Sequence, residues 1–196
     1  ELRTLTGVDN GYVRCGGVEF LTPDDEYAVD LWDAEGVRYE TGPRAVEPGV
    51  RTPDGTTPYF LPDCAQVRNP WHLRALIAGC ERLGVKLSPH TPSPNRTPTR
   101  ATLVAAGAWA PDLLTPLGVA LPVRPVRGQI VLFRPPRPLF THVLMVGKRY
   151  LVPRADGRVL VGSTEEPEAG FEKANTEVGV RDLIDFAVSL VPALRG

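Results

Sequence analysis

The chain has 196 residues, 42% of them apolar, which suits one globular domain or two small pieces of a larger one. Lysine plus arginine number 22 and aspartate plus glutamate 23, a net charge of −1 without long runs of either sign, which argues against a nucleic-acid or anionic-membrane surface. The best apolar run, residues 103–110, stops at Pro111, short of the roughly 18 residues a membrane span needs.

In chain order, residues 18–21 predict a strand reached through the Gly16-Gly17 break. A helix follows. Thr22 caps it, Pro23 suits its first position, and Asp24, Asp25 and Glu26 favour the positive end of its dipole. Gly36 ends it, with Ala28, Leu31 and Trp32 on one face. Residues 42–62, rich in Pro, Gly and Thr, predict loop and short strands with a turn at Asp54-Gly55. Asn69-Pro70 opens the next helix, whose Leu73, Leu76, Ile77, Cys80 and Leu83 recur at helical spacing up to Gly84, and residues 85–87 predict the strand after it. The polar, proline-rich stretch 88–100 supports no regular element. Residues 103–106 predict a short buried strand running into Gly107, and Pro111 starts a brief helix ended by Gly118. Four strands, 129–133, 142–146, 150–153 and 159–162, predict a meander whose tightest hairpin is Ala155-Asp156-Gly157. A last helix over 176–190 sets Val180, Leu183, Ile184, Ala187, Leu190 and Val191 on an apolar face.

Self-contained signatures of chemistry are missing: there is no Gly-x-Gly-x-x-Gly, Walker-type Gly-Lys-Ser/Thr, Gly-x-Ser-x-Gly or His-Glu-x-x-His. Cys15, Cys64 and Cys80 are odd in number and lack Cys-x-x-Cys spacing, so neither a disulfide framework nor a thiolate zinc site is expected, and a reducing cytoplasm is. His72, His90 and His142 have no second ligand at metal spacing and read as structural or solvated. No metal site and no catalytic residue is assigned. Three segments do not read as ordinary core. Residues 102–110 lose their side chains where the strand ends, which either lets a ligand approach the backbone or packs a tight turn. Arg124 and Arg127, in Pro-Val-Arg-Pro-Val-Arg-Gly-Gln, either hold an anion or line a solvated connection. Tyr150 alternates with apolar residues on its strand, as a core, rim or ligand-contacting residue does.

In that order and at those spacings, LVAAGAWAPDLLTPLGVALPVRPVRGQIVLF, then YLVPRADGRVLVGSTEE, then the helix ending LVPAL resemble the glycine oxidase and D-amino-acid oxidase family of FAD-dependent amine oxidases. Asn10-Gly11-Tyr12, Cys15-Gly16-Gly17 and the Asn69-Pro70 helix extend the resemblance over most of the chain. It is specific to the family and much less so to a substrate, since sarcosine oxidases and flavin-linked amino-acid dehydrogenases look similar. The family's dinucleotide fingerprint lies upstream of everything matched, and its Trp-Ala-Gly-Leu-Arg-Pro segment, with the arginine that pairs the substrate carboxylate, follows Val-Pro-Ala-Leu. The sequence therefore reads as an internal fragment. The interval 85–105 also looks shorter than the family norm, without the valine-bearing strand that meets the adenine half of FAD.

The resemblance implies an α+β fold: a mixed, largely antiparallel sheet with helices on one side, plus a slice of the α/β FAD domain. Residues 1–66 would be the first part of the substrate domain, 67–120 the interior FAD-domain slice, and 121–196 the second part with its return helix. It implies a parent enzyme that oxidises glycine, a small D-amino acid or a secondary amine by hydride transfer from Cα to the flavin, releasing an imine. Two alternatives stand beside it: a flavin-linked dehydrogenase that uses a carrier instead of oxygen, and a non-catalytic ligand-binding domain on the same fold. Tyr150 matches the family tyrosine whose hydroxyl helps hold the substrate carboxylate, and Lys148, two residues earlier, is the second substrate-binding candidate. Ala106, Gly107 and Ala108 match the small-residue turn that lies against the cofactor. FAD is expected in the parent but not to be retained by this fragment, itself expected to be inactive. The expected partner is a small amino-acid or amine substrate, with no nucleic acid and no membrane span, and a homo-oligomer is left open.

Overall fold

A computed structural model of the chain describes residues 1–42, 46–91 and 101–195. In chain order its helices and strands are α1 (Leu2–Thr6), β1 (Val13–Arg14), β2 (Gly17–Leu21), α2 (Tyr27–Glu35), β3 (Glu40–Thr41), β4 (Thr57–Leu61), β5 (Ala65–Gln66), α3 (Asn69–Arg82), α4 (Ala110–Leu114), β6 (Ile130–Phe133), β7 (Val143–Val146), β8 (Arg149–Pro153), β9 (Val159–Gly162) and α5 (Glu177–Leu190). Seven strands join in one sheet of order β3-β4-β2-β7-β8-β9-β6, and β1 pairs with β5 in a separate two-stranded ribbon. Within the large sheet only β2 and β7 run parallel. That single parallel contact joins strands from the first third of the chain to the four from its second half. The fold is the mixed, mostly antiparallel α+β arrangement expected.

One face of the sheet builds the core. Val18, Phe20, Leu144, Leu151, Val159 and Val161 meet Leu183, Ala187 and Leu190 of α5. The helix presents those three at i, i+4 and i+7, and burying each leucine contributes about 1.5–3 kcal/mol. Thr176 starts α5 as its sequence position predicts, its hydroxyl accepting from the Gly179 amide at 3.1 Å. The β8–β9 hairpin closes through Arg154 N–H to Arg158 C=O, 2.8 Å, with Gly157 at φ 81°. The helix expected after Pro111 is α4, prolonged by a 3₁₀ turn that Gly118 ends at φ 78°.

Four expectations fail, two of strands and two of apolar helix faces. Residues 85–87 are irregular, and so are 103–106, where Leu103 is 91% exposed. A strand needs a neighbour for its amides and carbonyls, and among the described residues none pairs with either segment. In α3 the buried positions are Ala75 and Gly79, whereas Leu73, Leu76, Ile77 and Leu83 are exposed. The small side chains let α1 approach, so that a Cβ at Gly79 would lie 3.4 Å from Leu2 Cδ1. In α2, Leu31 is exposed and Trp32 carries the packing, its ring 5.8 Å from Tyr39 and 5.7 Å from Tyr59. Of the proline-rich stretch, residues 92–100 lie outside the described residues.

Candidate functional site

Because Leu151 points into the core, strand alternation turns Tyr150 and Val152 to the opposite face. Register carries a row of residues across that face: Glu19 on β2, Met145 on β7, Tyr150 on β8, Gly162 on β9 and Ile130 on β6. Ile130 and Leu132 are exposed there, and Met145 and Tyr150 are half-buried. The Tyr150 ring lies across Gly162, where a Cβ would meet its Oη at 2.7 Å, its Cζ at 2.8 Å and Ile130 Cγ2 at 3.0 Å. Glycine at 162 is what gives the phenol its place. Lys148 sits in the β7–β8 turn, 80% exposed, its ammonium paired with the Glu165 carboxylate.

Next to this face an open cleft of about 730 Å³ is lined by Gly107, Ala108 and Trp109, by residues 123–128 and by residues 170–175. Gly107 and Ala108 therefore share one wall, and Ala106, Tyr150 and Lys148 are not among the lining residues. Gly107 has φ 52° and nothing within 4 Å of where a Cβ would stand, so atoms of a ligand can approach its backbone. Trp109 and Phe171 stack at 5.0 Å and 27°, closing one side with an aromatic pair. From Gly128, on the cleft wall, to Ile130, beside the Tyr150 ring, is two residues, or about 7 Å of extended chain. The chain entering β6 thus connects the cleft wall to the Tyr150 face.

Behind that wall lies a polar network that sequence reasoning missed. Gln129 is 2% exposed and joins three elements. Its Nε2 donates to Glu166 Oε1 (2.6 Å) and Thr176 Oγ1 (2.9 Å), and its Oε1 accepts from the Thr176 amide (2.7 Å). Its own amide donates to Thr164 Oγ1 at 2.9 Å, and the Thr164 hydroxyl donates to Glu166 at 2.5 Å. Arg127 completes the set, donating to Glu166 through Nε (2.9 Å) and Nη2 (2.6 Å) and to Glu172 through Nη1 (3.0 Å). Hydrogen bonds from Thr164, Arg127 and Gln129 hold the Glu166 carboxyl at a pKa of about 2, well below the ordinary carboxylate range. Of the two arginines left open by sequence, Arg127 is therefore neutralised by two carboxylates, whereas Arg124 makes no ion pair among the described residues. A buried glutamine before a strand has no sequence signature of its own; Gly128-Gln129 was visible only as part of the matched motif.

His142 and His72 make contacts within the fold, and His90 is exposed. The His142 ring lies 4.7 Å from Phe60, with Nδ1 2.5 Å from the Cys15 carbonyl oxygen, and His72 Nδ1 is 3.3 Å from the Asn10 amide nitrogen. Among the described residues no group of three potential metal ligands occurs, and no helix is long and apolar enough to cross a membrane.

The family described as FAD dependent oxidoreductase (DAO) matches residues 1–196, and the chain belongs to it. Within that family it is similar to the glycine oxidase of Pseudomonas putida, 32% identical over 223 residues that cover 100% of this chain and 59% of that protein. The glycine oxidase of Geobacillus kaustophilus is 30% identical over 218 residues, 98% of this chain and 57% of that one. A crystal structure of glycine oxidase from Geobacillus kaustophilus superposes with a TM-score of 0.86 at 27% identity, covering 98% of this chain and 58% of that one. An L-proline dehydrogenase from P. horikoshii, at 15% identity and TM-score 0.72, shares the fold alone. The chain spans less than three fifths of the length of the glycine oxidases it matches.

Proposed function

We propose that this chain is the substrate-binding part, with an interior slice of the FAD domain, of an amine oxidase acting on glycine or another small amino acid. In this reading residues 1–66 and 121–196 form the substrate domain and residues 67–120 the slice. The observation that carries it is the short run of chain from Gly128, on the wall of the Gly107–Ala108 cleft, to Ile130, which with the Tyr150 ring surrounds Gly162. When bound, FAD supplies the acceptor for the hydride leaving the substrate Cα. The residues present suit its ring half. Gly107 and Ala108 remove bulk, Trp109 and Phe171 supply an aromatic wall, and Arg124 and Lys173 bring positive charge that no carboxylate among the described residues neutralises. Arg127 is occupied by Glu166 and Glu172 and serves the wall rather than a ligand. The Tyr150 hydroxyl donates to the substrate carboxylate and helps orient Cα, while the sheet beneath holds the ring still.

The reading is tested on the protein expressed from its complete reading frame. Bound flavin absorbance and glycine-dependent peroxide formation are the expected results. Electron transfer to a carrier without peroxide would assign a dehydrogenase, and a colourless protein that binds amino acids without turnover would assign a binding domain. The 196-residue chain purified by itself is expected to hold no stoichiometric flavin; a yellow preparation would contradict this.

A further inference from the structure

Cys15 and Cys64 adjoin the end of the β1–β5 ribbon. The last paired residues of that ribbon are Arg14 and Ala65, so Cys15 follows directly on one strand and Cys64 directly precedes the other. The backbones are still joined there, because the Gly16 amide donates to the Cys64 carbonyl at 2.9 Å. The hydrogen bond one residue on from Cys15 keeps the two Cα atoms close to the roughly 4.4–6.8 Å that a disulfide spans. The side chains agree: Gln66, two residues from Cys64 and on its side of β5, donates through Nε2 to Cys15 Sγ at 3.4 Å. Glycine at 17 makes room for the other sulfur, since a Cβ there would lie 2.8 Å from Cys64 Sγ. Both thiols are free and partly exposed, and neither lines the cleft. Burial and the neighbouring Cys15 thiol push the Cys64 thiol up, an electrostatic effect that needs the two sulfurs close.

We propose that Cys15 and Cys64 are a reversible redox pair, closed to a cross-strand disulfide by hydrogen peroxide. The Cys15 thiolate attacks one peroxide oxygen, the O–O bond breaks, and Cys15 becomes a sulfenic acid as one water leaves. The Cys64 thiolate then attacks the Cys15 sulfur, the S–O bond breaks as the S–S bond forms, and a second water leaves. Two thiols give up two electrons and two protons, and one peroxide becomes two waters. The bridge ties the chain entering β2 to the strand that leads into α3. It is independent of the substrate reading above, although an oxidase would make the oxidant itself.

The test is made on the reduced protein expressed from its complete reading frame, with Cys80 as the internal control. After exposure to a modest excess of hydrogen peroxide and alkylation, the joined peptide should weigh about 2 Da less than its two reduced, unalkylated parts together. Cys15 and Cys64 should be blocked against alkylation, and one peptide should join residues 15 and 64. A dithiol reductant should reverse all of this, and Cys80 should be alkylated throughout. Cys15→Ser and Cys64→Ser should each abolish the joined peptide, and Cys64→Ser should leave on Cys15 a sulfenic acid that dimedone traps. Oxidation of all three cysteines at similar rates, links only between molecules, or Cys15 and Cys64 both fully alkylated in the wild-type chain would overturn the proposal. The wild-type peptide map decides this even if a serine variant fails to fold.

Discussion

At the scale of single residues, the molecule turns on a few positions where no other side chain serves. Tyr150→Phe in the complete enzyme removes one hydrogen bond to a charged carboxylate, about 1.5–3 kcal/mol. If the contact is equal in ground and transition states the loss enters KM; if it aligns Cα, kcat falls as well. Kinetics matching wild type would leave Tyr150 an ordinary strand tyrosine. Gln129→Leu keeps the volume but leaves the Thr176 amide without its acceptor, at a cost of about 1–3 kcal/mol. In a chain of this length that lowers Tm by about 5 °C, readable by calorimetry; an unchanged Tm would show that water replaces the amide freely. Glu166 sets an acid limit. Its folded-state pKa of about 2 lies below the ordinary value near 4.3, so its contribution is complete above that value and lost as pH falls toward 2. Glu166→Gln should flatten stability between about pH 5 and 2, leaving the smaller acid dependence of Asp156, also held at about 2 by Arg158. An acid-unfolding curve as steep as wild type would place the proton elsewhere.

Among the elements, the contact that fixes α3 against the sheet is polar. Arg154, at the β8–β9 hairpin, donates through Nη1 to Gln66 Oε1 (2.8 Å) and the Val67 carbonyl (3.2 Å). Gln66 Nε2 returns a bond to the Pro153 carbonyl at 2.7 Å. Arg154→Ala strips both acceptors of their donor and should destabilise by about 1–3 kcal/mol. It should also raise hydrogen exchange at residues 66–72 more than in β7 or β8. Uniform exchange across the chain would mean the link is dispensable. No pattern in the sequence announces this staple, because Gln66 and Arg154 are 88 residues apart and each reads alone as a surface polar group. Local grammar was legible where elements satisfy themselves: Gly157 in its hairpin and the strands of 130–162 were readable from turns and periodicity, whereas α2 starts at Tyr27, beyond the cap expected at Thr22. Order in the sheet was not. β6 pairs with β9, at the sheet edge, instead of preceding β7 in the meander, a choice made by long-range packing. The site divided in the same way. Tyr150's face followed from alternation, whereas the Gln129 network depends on three elements meeting.

At the scale of the whole molecule, the sheet's α5 side is well covered and α3 is not. This helix has small buried residues on one side, Ala75 and Gly79, and large exposed ones on the other, Leu73, Leu76, Ile77 and Leu83. Leu103 and Leu87 add to the exposed apolar surface. A helix apolar on both sides belongs in an interior, and contiguous exposed apolar surface on a monomer marks a face that meets something. In the proposed enzyme the rest of the FAD domain covers it, in keeping with the greater length of the glycine oxidases. The 196-residue chain by itself should then self-associate as its concentration rises and bind a hydrophobic dye. Replacing Leu73 and Leu76 together by Gln should reduce both signals with little loss of stability, because both side chains are already in water. In the complete enzyme the same pair should instead destabilise, by about 2–5 kcal/mol for each leucine if it is fully covered there. Light scattering and dye titration on the chain, with thermal unfolding of both proteins, read the two halves of this expectation. A monodisperse chain that ignores the dye, or a complete enzyme indifferent to both substitutions, would show that α3 meets solvent in the native protein as well.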